Sequence, residues 1–272
     1  MDDIVLMNAL LSEEKKPFCG WDFSYLNGRW KSEPLSWDYR HLVDKYRCDT
    51  DHLLDMGTGG GEFILKLGHP FHLISVTEGW QPNLKLCKAR LAPLGITIKY
   101  VGEEEKLEYP NEAFDLVMNR HASFDISEVY RVLKPGGYFI TQQVGEYNDR
   151  ELIEKLLGPI PLSFPGHNLK NNLTLLQNEG FEILGRTEEM PQMRFFDLGA
   201  VVYFAKQITW EFCDFSVNKC FEQIKALRDE LDQKGYIANR EHRFLIIAQK
   251  NNGDGSRRRF NHRCLDTKAV FL

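Results

Sequence analysis

The chain has 272 residues, 43% of them hydrophobic and 27% charged, with a formal net charge of −5. This is ordinary usage for a globular chain and excludes a stapled mini-protein, a collagen-like chain and a wholly disordered one. Thirty-four Lys and Arg against 39 Asp and Glu argue against a surface built to coat nucleic acid or an anionic membrane. The six cysteines, Cys19, Cys48, Cys87, Cys213, Cys220 and Cys264, contain no C-x-x-C pair, which fits reduced thiols and a cytoplasmic compartment. With no four-cysteine set or histidine cluster, no metal is expected. The start, MDDIVLMNALLSEEKK, carries acids where a signal peptide needs basic residues. No apolar run approaches the roughly 18 residues of a membrane span, so neither a membrane nor DNA is expected as a partner.

The first 34 residues form an N-terminal segment without a clear period. Beyond it, Leu35, Tyr39, Leu42, Val43 and Tyr46 share one helical face. An alternation follows. HLLDM (52–56) reads as a buried strand, EFILKL (62–67) as a helix and FHLISVTE (71–78) as a strand. A helix is expected over 82–94, with Gly95 placed to end it. Strands are expected at ITIKYV (96–101), AFDLVMN (113–119) and GYFITQQV (137–144). Between the last two, a helix carries Ile126, Val129, Tyr130 and Leu133, with Asp125 and Glu128 spaced as a capping box.

Strands separated by helices of this length are βαβ units, so the fold class is α/β, doubly wound, with a mostly parallel sheet. Further on, helices are expected near 148–157, 168–178, 197–208 and 216–233, and strands at 181–188 and 243–249. If those two strands are neighbours, residues 189–242 form a cap insertion over a pocket. The expected organisation is an N-terminal segment (1–34), a domain (35–250) containing that cap, and a disordered tail (251–272).

The chemistry is concentrated in LLDMGTGGGEF (53–63), an acidic residue two positions before a glycine-rich turn that leaves a strand and enters a helix. Glycines there permit positive φ and close backbone approach, and the helix start offers free N–H groups. A nucleotide-like ligand is implied. The dinucleotide fingerprint G-x-G-x-x-G would need glycine at 62, where Glu62 stands, and a carboxylate opposes a pyrophosphate. The stretch reads D-x-G-x-G-x-G through Asp55, Gly57, Gly59 and Gly61.

This stretch resembles the first motif of the class I S-adenosylmethionine-dependent methyltransferases. The resemblance covers about residues 50–145 and implies a Rossmann-like, three-layer α/β/α fold around a seven-stranded sheet, with S-adenosylmethionine as cofactor. It implies that Asp55, Gly57, Thr58, Gly59 and Gly61 form the cofactor loop and that Glu78, ending the second strand, holds the ribose hydroxyls. A carboxylate suits that role because it accepts two hydrogen bonds from a cis diol. In VGEEEKLEYPNEAFDLVMNR, Glu103 or Glu104 takes the place of the acid that reaches the adenine amine. EVYRVLKPGGYFI (128–140) is similar to the Lys-Pro-Gly-Gly stretch of the small-molecule and RNA-modifying branches.

Methyl transfer from a sulfonium needs alignment above all. Positioning is worth roughly 7–11 kcal/mol, against about 3–5 kcal/mol for a typical general base. A base, if used, belongs past the end of the fourth strand. His121 there is the candidate proton acceptor, Arg120 the clamp for an acidic substrate, and Asn119 a cofactor or substrate contact. Trp80 is placed to stack on adenine. Trp21, Trp30, Trp37 and Tyr39 read as core or lid aromatics, and Gln142, Gln143 and His167 as weaker pocket candidates.

The N/D-P-P-Y/F and Pro-Cys signatures of amino- and cytosine-C5-methylating enzymes are absent from the sequence. The expected acceptor is a small molecule, with RNA as the alternative through a basic tail that holds Arg257, Arg258 and Arg259. Two other readings stand beside this one. They are a nicotinamide-dependent oxidoreductase on a Rossmann fold and a non-catalytic cofactor- or RNA-binding module.

Overall fold

The computed structural model describes residues 2–18 and 22–252. Trp21 and all of the expected tail beyond Asn252 lie outside the described residues. The chain divides into two compact units. Of the described residues, one comprises 36–143, 169–187 and 244–252, the other 2–18, 22–35, 144–168 and 188–243.

The first unit is built on seven strands: β1 (Leu53–Met56), β2 (Ile74–Glu78), β3 (Thr97–Tyr100), β4 (Phe114–Arg120), β5 (Leu133–Val144), β6 (Phe181–Glu189) and β7 (Arg243–Lys250). They form one sheet in the order β3-β2-β1-β4-β5-β7-β6. The pairs β1–β2, β2–β3, β1–β4 and β4–β5 are parallel, with Met56 opposite both Thr77 and Asn119. Parallel strands are covered on both faces, so they read as unbroken apolar runs. In β1 all four residues are buried, and in β4 all but Arg120.

Successive side chains of a strand point to opposite faces, and β1 shows this directly. Leu53 joins a cluster with Val43, Ile64, Leu67, Cys87 and Leu91. Leu54 joins the opposite one with Val129, Val132, Leu176 and Phe181. The result is the doubly wound, three-layer α/β/α arrangement. The chain runs outward from β1 through β2 to β3, then returns to place β4 on the other side of β1. That reversal opens a crevice at the carboxyl ends of β1 and β4, where open α/β sheets bind ligands.

Several boundaries differ from the sequence reading. Residues Phe71–Leu73 and Ala92–Leu94 form single 3-10 turns rather than strand and helix ends. The helix Tyr39–Tyr46 starts four residues after Leu35 because the Asp38 carboxylate accepts from the His41 N–H and caps it. Leu133, expected on the helix Ile126–Val132, opens β5 instead. The Lys-Pro-Gly-Gly stretch lies inside that strand and is taken up by a register shift, with Phe114 opposite Leu133 but Leu116 opposite Tyr138. Gly136 there has φ +74°, a conformation glycine adopts without strain.

The second unit has its own core of Leu6, Leu10, Phe195, Tyr203, Phe204, Phe212 and Ile224, among others. It contains a helix over Asp3–Glu14 and an antiparallel sheet of Trp30–Ser32, Gln192–Phe195 and Ile237–Arg240. Helices Arg150–Leu157, Leu198–Gln207 and Val217–Lys234 belong to it too. Arg29 ties three parts of this unit together, pairing with Asp197 at 2.6 Å and Glu13 at 3.2 Å. No helix among the described residues is long and apolar enough to cross a membrane.

Candidate functional site

The crevice begins with the loop from Met56 to Gly61. Gly57, Gly59 and Gly61 have φ of +67°, +64° and +80°, so all three lie in the region that favours glycine. Each answers a different requirement. A Cβ on Gly57 would lie 2.4 Å from Ala122 Cβ, and one on Gly61 would lie 2.8 Å from Leu91. Gly59 faces open space, with nothing within 4 Å of the same position.

The loop is held from several sides. The Gly59 N–H donates to Glu78 Oε2 at 2.8 Å, and the Trp80 N–H donates to Glu78 Oε1 at 2.9 Å. The Cys87 thiol donates to the Gly59 carbonyl at 2.8 Å, and Arg90 Nη1 to the Gly60 carbonyl at 2.9 Å. The carbonyls of Gly59 and Gly60 are thereby held by the helix Gln81–Arg90, and the Gly61 N–H donates back to the Thr58 carbonyl at 3.1 Å. Burial pushes the Cys87 thiol up to about 11, so it stays protonated and able to donate this bond.

Asp55 is 5% exposed. Burial pushes its carboxyl up to about 6, against the opposing pull of the Thr58 hydroxyl and the Arg120 guanidinium. Glu78 is also buried, at the end of β2. Each Glu78 oxygen accepts one backbone N–H and keeps a second lone pair. Trp80 is half exposed. Beyond β3, Glu103 and Glu104 occupy the middle of an exposed turn closed by Glu105 N–H to Gly102 O at 3.0 Å. The chain entering that turn lies beside Glu78, because the Val101 N–H donates to the Glu78 carbonyl at 3.3 Å.

At the end of β4, Asn119 is fully buried. Gln143 Nε2 donates to the Ala122 carbonyl at 3.2 Å, which fixes that amide's orientation. The same nitrogen reaches Asn119 Oδ1 at 2.5 Å, and the Thr141 hydroxyl lies 3.3 Å from that oxygen. The oxygen is therefore satisfied, and Asn119 Nδ2 has no hydrogen-bond partner among the described residues. A buried amide with unused donors costs about 1–3 kcal/mol, and an incoming acceptor would relieve that cost. Arg120 extends from the strand end over the rings of Phe63 and Tyr39, 5.3 and 5.9 Å from their centroids. His121 follows at φ +62°, hydrogen-bonded to Gln142.

The crevice thus gathers Asp55, Gly57, Thr58, Gly59, Gly61, Glu78 and Trp80 on one side and Asn119, Arg120 and His121 on the other. Trp37 and Tyr39 belong to the same unit, whereas Trp30 is a core aromatic of the other unit, against Phe23, Phe195 and Phe204. His167 also lies in that other unit. Tyr39, expected as a core or lid aromatic, and Gln143, expected as a weaker pocket candidate, have roles here that the sequence does not give. The Tyr39 hydroxyl reaches the carbonyls of Asn119 and Ile140 at 3.2 and 3.1 Å, and Gln143 orients Asn119. The adjacent Gln142 and Gln143 were the available signal, since neighbours on a strand face opposite ways. No group of His, Cys, Asp and Glu among the described residues has the arrangement of a metal site.

A parallel sheet reversing beside β1, with a left-handed glycine loop and a carboxylate at the end of β2, is a Rossmann-like arrangement. Residues 54–141 match the family model described as "Methyltransferase domain". The phthiotriol/phenolphthiotriol dimycocerosates methyltransferase of Mycobacterium tuberculosis is 32% identical over 111 residues, 38% of this chain and 40% of that protein. The demethylmenaquinone methyltransferase of Leptospira interrogans is 30% identical over 145 residues, 47% of this chain and 55% of that one. The chain thus spans about half the length, or less, of these curated relatives. Among solved structures, a Bacillus halodurans protein of 19% identity superposes with a TM-score of 0.53, covering 79% of this chain and 99% of its own. The matched stretch runs from β1 into β5 and contains the glycine loop, Glu78 and Asn119.

Proposed function

We propose that the chain is an S-adenosylmethionine-dependent methyltransferase acting on a small-molecule acceptor. The observation that carries this reading is the glycine loop, with three left-handed glycines, open space over Gly59 and the Glu78 carboxylate hydrogen-bonded to its N–H. The residues present fit the cofactor. Glu78 has lone pairs for a ribose diol, and Asp55 is an anion for the cationic amino-acid end. Asn119 Nδ2 offers donors to a carboxylate, and Trp80 an exposed aromatic face to the base. Glu103 or Glu104 serves the adenine amine. The small-molecule acceptor is supported by the relatives, named for a phthiotriol and a demethylmenaquinone.

When bound, the cofactor supplies an electrophilic methyl group on a sulfonium. The protein's part is alignment and charge. Asp55 and Glu78 put negative charge beside a positively charged ligand in a buried setting, where such attraction is little screened. Arg120 ends β4, held over two aromatic rings, and is placed to clamp an acidic group on the acceptor.

Thermal unfolding of the full chain with S-adenosylhomocysteine tests this reading. At about 100 times its dissociation constant the ligand should stabilise the fold by about 2.7 kcal/mol, and NADH should not. Stabilisation by NADH alone would reject the proposal.

A further inference from the structure

An indole has one hydrogen to donate and no atom to accept one. Trp37 Nε1 lies 2.8 Å from Gln142 Oε1, so the donor at Trp37 settles which end of that amide is oxygen. The opposite end, Gln142 Nε2, lies 2.9 Å from His121 Nε2. An amide nitrogen in that position only donates, so the ring nitrogen facing it must accept, and the imidazole proton resides on Nδ1. The reverse amide orientation would set the indole N–H against an NH2 group. A proton on Nε2 would set N–H against N–H.

The backbone holds the same arrangement. The His121 N–H donates to the Gln142 carbonyl at 2.8 Å, and β4 and β5 are in register at Arg120 and Gln142. His121 itself is exposed at the crevice end of β4, next to Ala122, which packs under Gly57.

We propose that Trp37 and Gln142 are positioning residues that hold His121 as the neutral Nδ1–H tautomer and so withhold from it the role of general base. This rests on the methyltransferase reading above. The acceptor's nucleophilic atom must arrive with its lone pair available, and any proton it sheds leaves to water.

Long-range nitrogen–proton correlation spectra of the nitrogen-15-labelled full chain at pH 7.5 test the proposal, with the His121 signals assigned by their loss in His121→Asn. The expected result is a single tautomer with the proton on Nδ1. In Gln142→Glu the carboxylate accepts from both Trp37 and His121, so the Nε2 signal should move to the protonated form. In Trp37→Phe the amide is free to reverse and both tautomers should appear. A wild-type ring protonated on Nε2, or one unchanged by Gln142→Glu, overturns the proposal. Titration of the same samples with S-adenosylhomocysteine separates the two claims, because a chain that binds no ligand but keeps the Nδ1–H tautomer refutes the methyltransferase reading alone.

Discussion

Asp55 is a carboxylate that the fold holds at a cost. In the unfolded chain it titrates near 3.8, and burial pushes it up to about 6 in the folded one. Between those values the folded form keeps a proton that the unfolded form has lost, so stability falls as pH rises through this window. The penalty is complete above about pH 6 and amounts to about 3 kcal/mol. Asp55→Asn should therefore raise the unfolding midpoint at pH 7.5 and leave it nearly unchanged at pH 4. The same variant should bind S-adenosylhomocysteine more weakly at pH 7.5. Denaturant titrations at the two pH values decide the first point, and a stability gain equal at both would refute it. Single residues of this kind were legible in part. The D-x-G-x-G-x-G spacing located the loop, but Gln143 and Tyr39 act through partners 24 and 80 residues away, which no local pattern records.

At the scale of elements, the glycine loop is rigid because its neighbours leave no room. Gly61→Ala would add a methyl 2.8 Å from Leu91 at φ +80°. Overpacking and left-handed strain together predict a loss of about 1–3 kcal/mol. Gly59→Ala meets nothing within 4 Å, so it should pay only the backbone term, yet it places a methyl in the ligand's space. The expected contrast is Gly61→Ala failing chiefly in stability and Gly59→Ala chiefly in binding. Urea unfolding and ligand titration of both variants would show it, and a Gly59→Ala chain of undiminished affinity would contradict it.

The long parallel strands and their helices were legible because each repeats a period over several residues. The three short strands Trp30–Ser32, Gln192–Phe195 and Ile237–Arg240 were not. Each has three or four residues, too few for a period, and Trp30 pairs with Phe195 across most of the chain. The helix Asp3–Glu14 escaped for another reason. Its apolar residues run together at Ile4–Met7, and only Leu6 and Leu10 are buried, so no single stripe marks it.

At the scale of the whole molecule, both units carry acids that the fold keeps partly protonated. Asp149 and Glu211, in the second unit, are each pushed up to about 7 by burial, and each also lies in the field of another acid. Asn239 Nδ2 and Asn148 Nδ2 donate to the two Asp149 oxygens at 2.5 and 2.7 Å. The sign is the same as for Asp55. Their contribution is fully present below the unfolded values of 3.8 and 4.5 and is lost progressively as pH rises to about 7. The chain should accordingly be more stable at pH 5.5 than at pH 8, and Asp149→Asn should flatten that dependence. Thermal unfolding across this range checks it, and a midpoint rising steadily to pH 8 would contradict it.

The proposed methyl transfer requires the crevice beside β1 to receive an adenosyl ligand with Glu78 against its sugar. Calorimetric titration of the full chain with S-adenosylhomocysteine, wild type against Glu78→Ala, measures this most directly. Loss of hydrogen bonds to a charged group, worth about 1.5–3 kcal/mol, predicts one-to-one binding weakened roughly 10- to 150-fold in the folded variant. Equal affinity in the two proteins, or no heat from the wild type at saturating ligand, would contradict it.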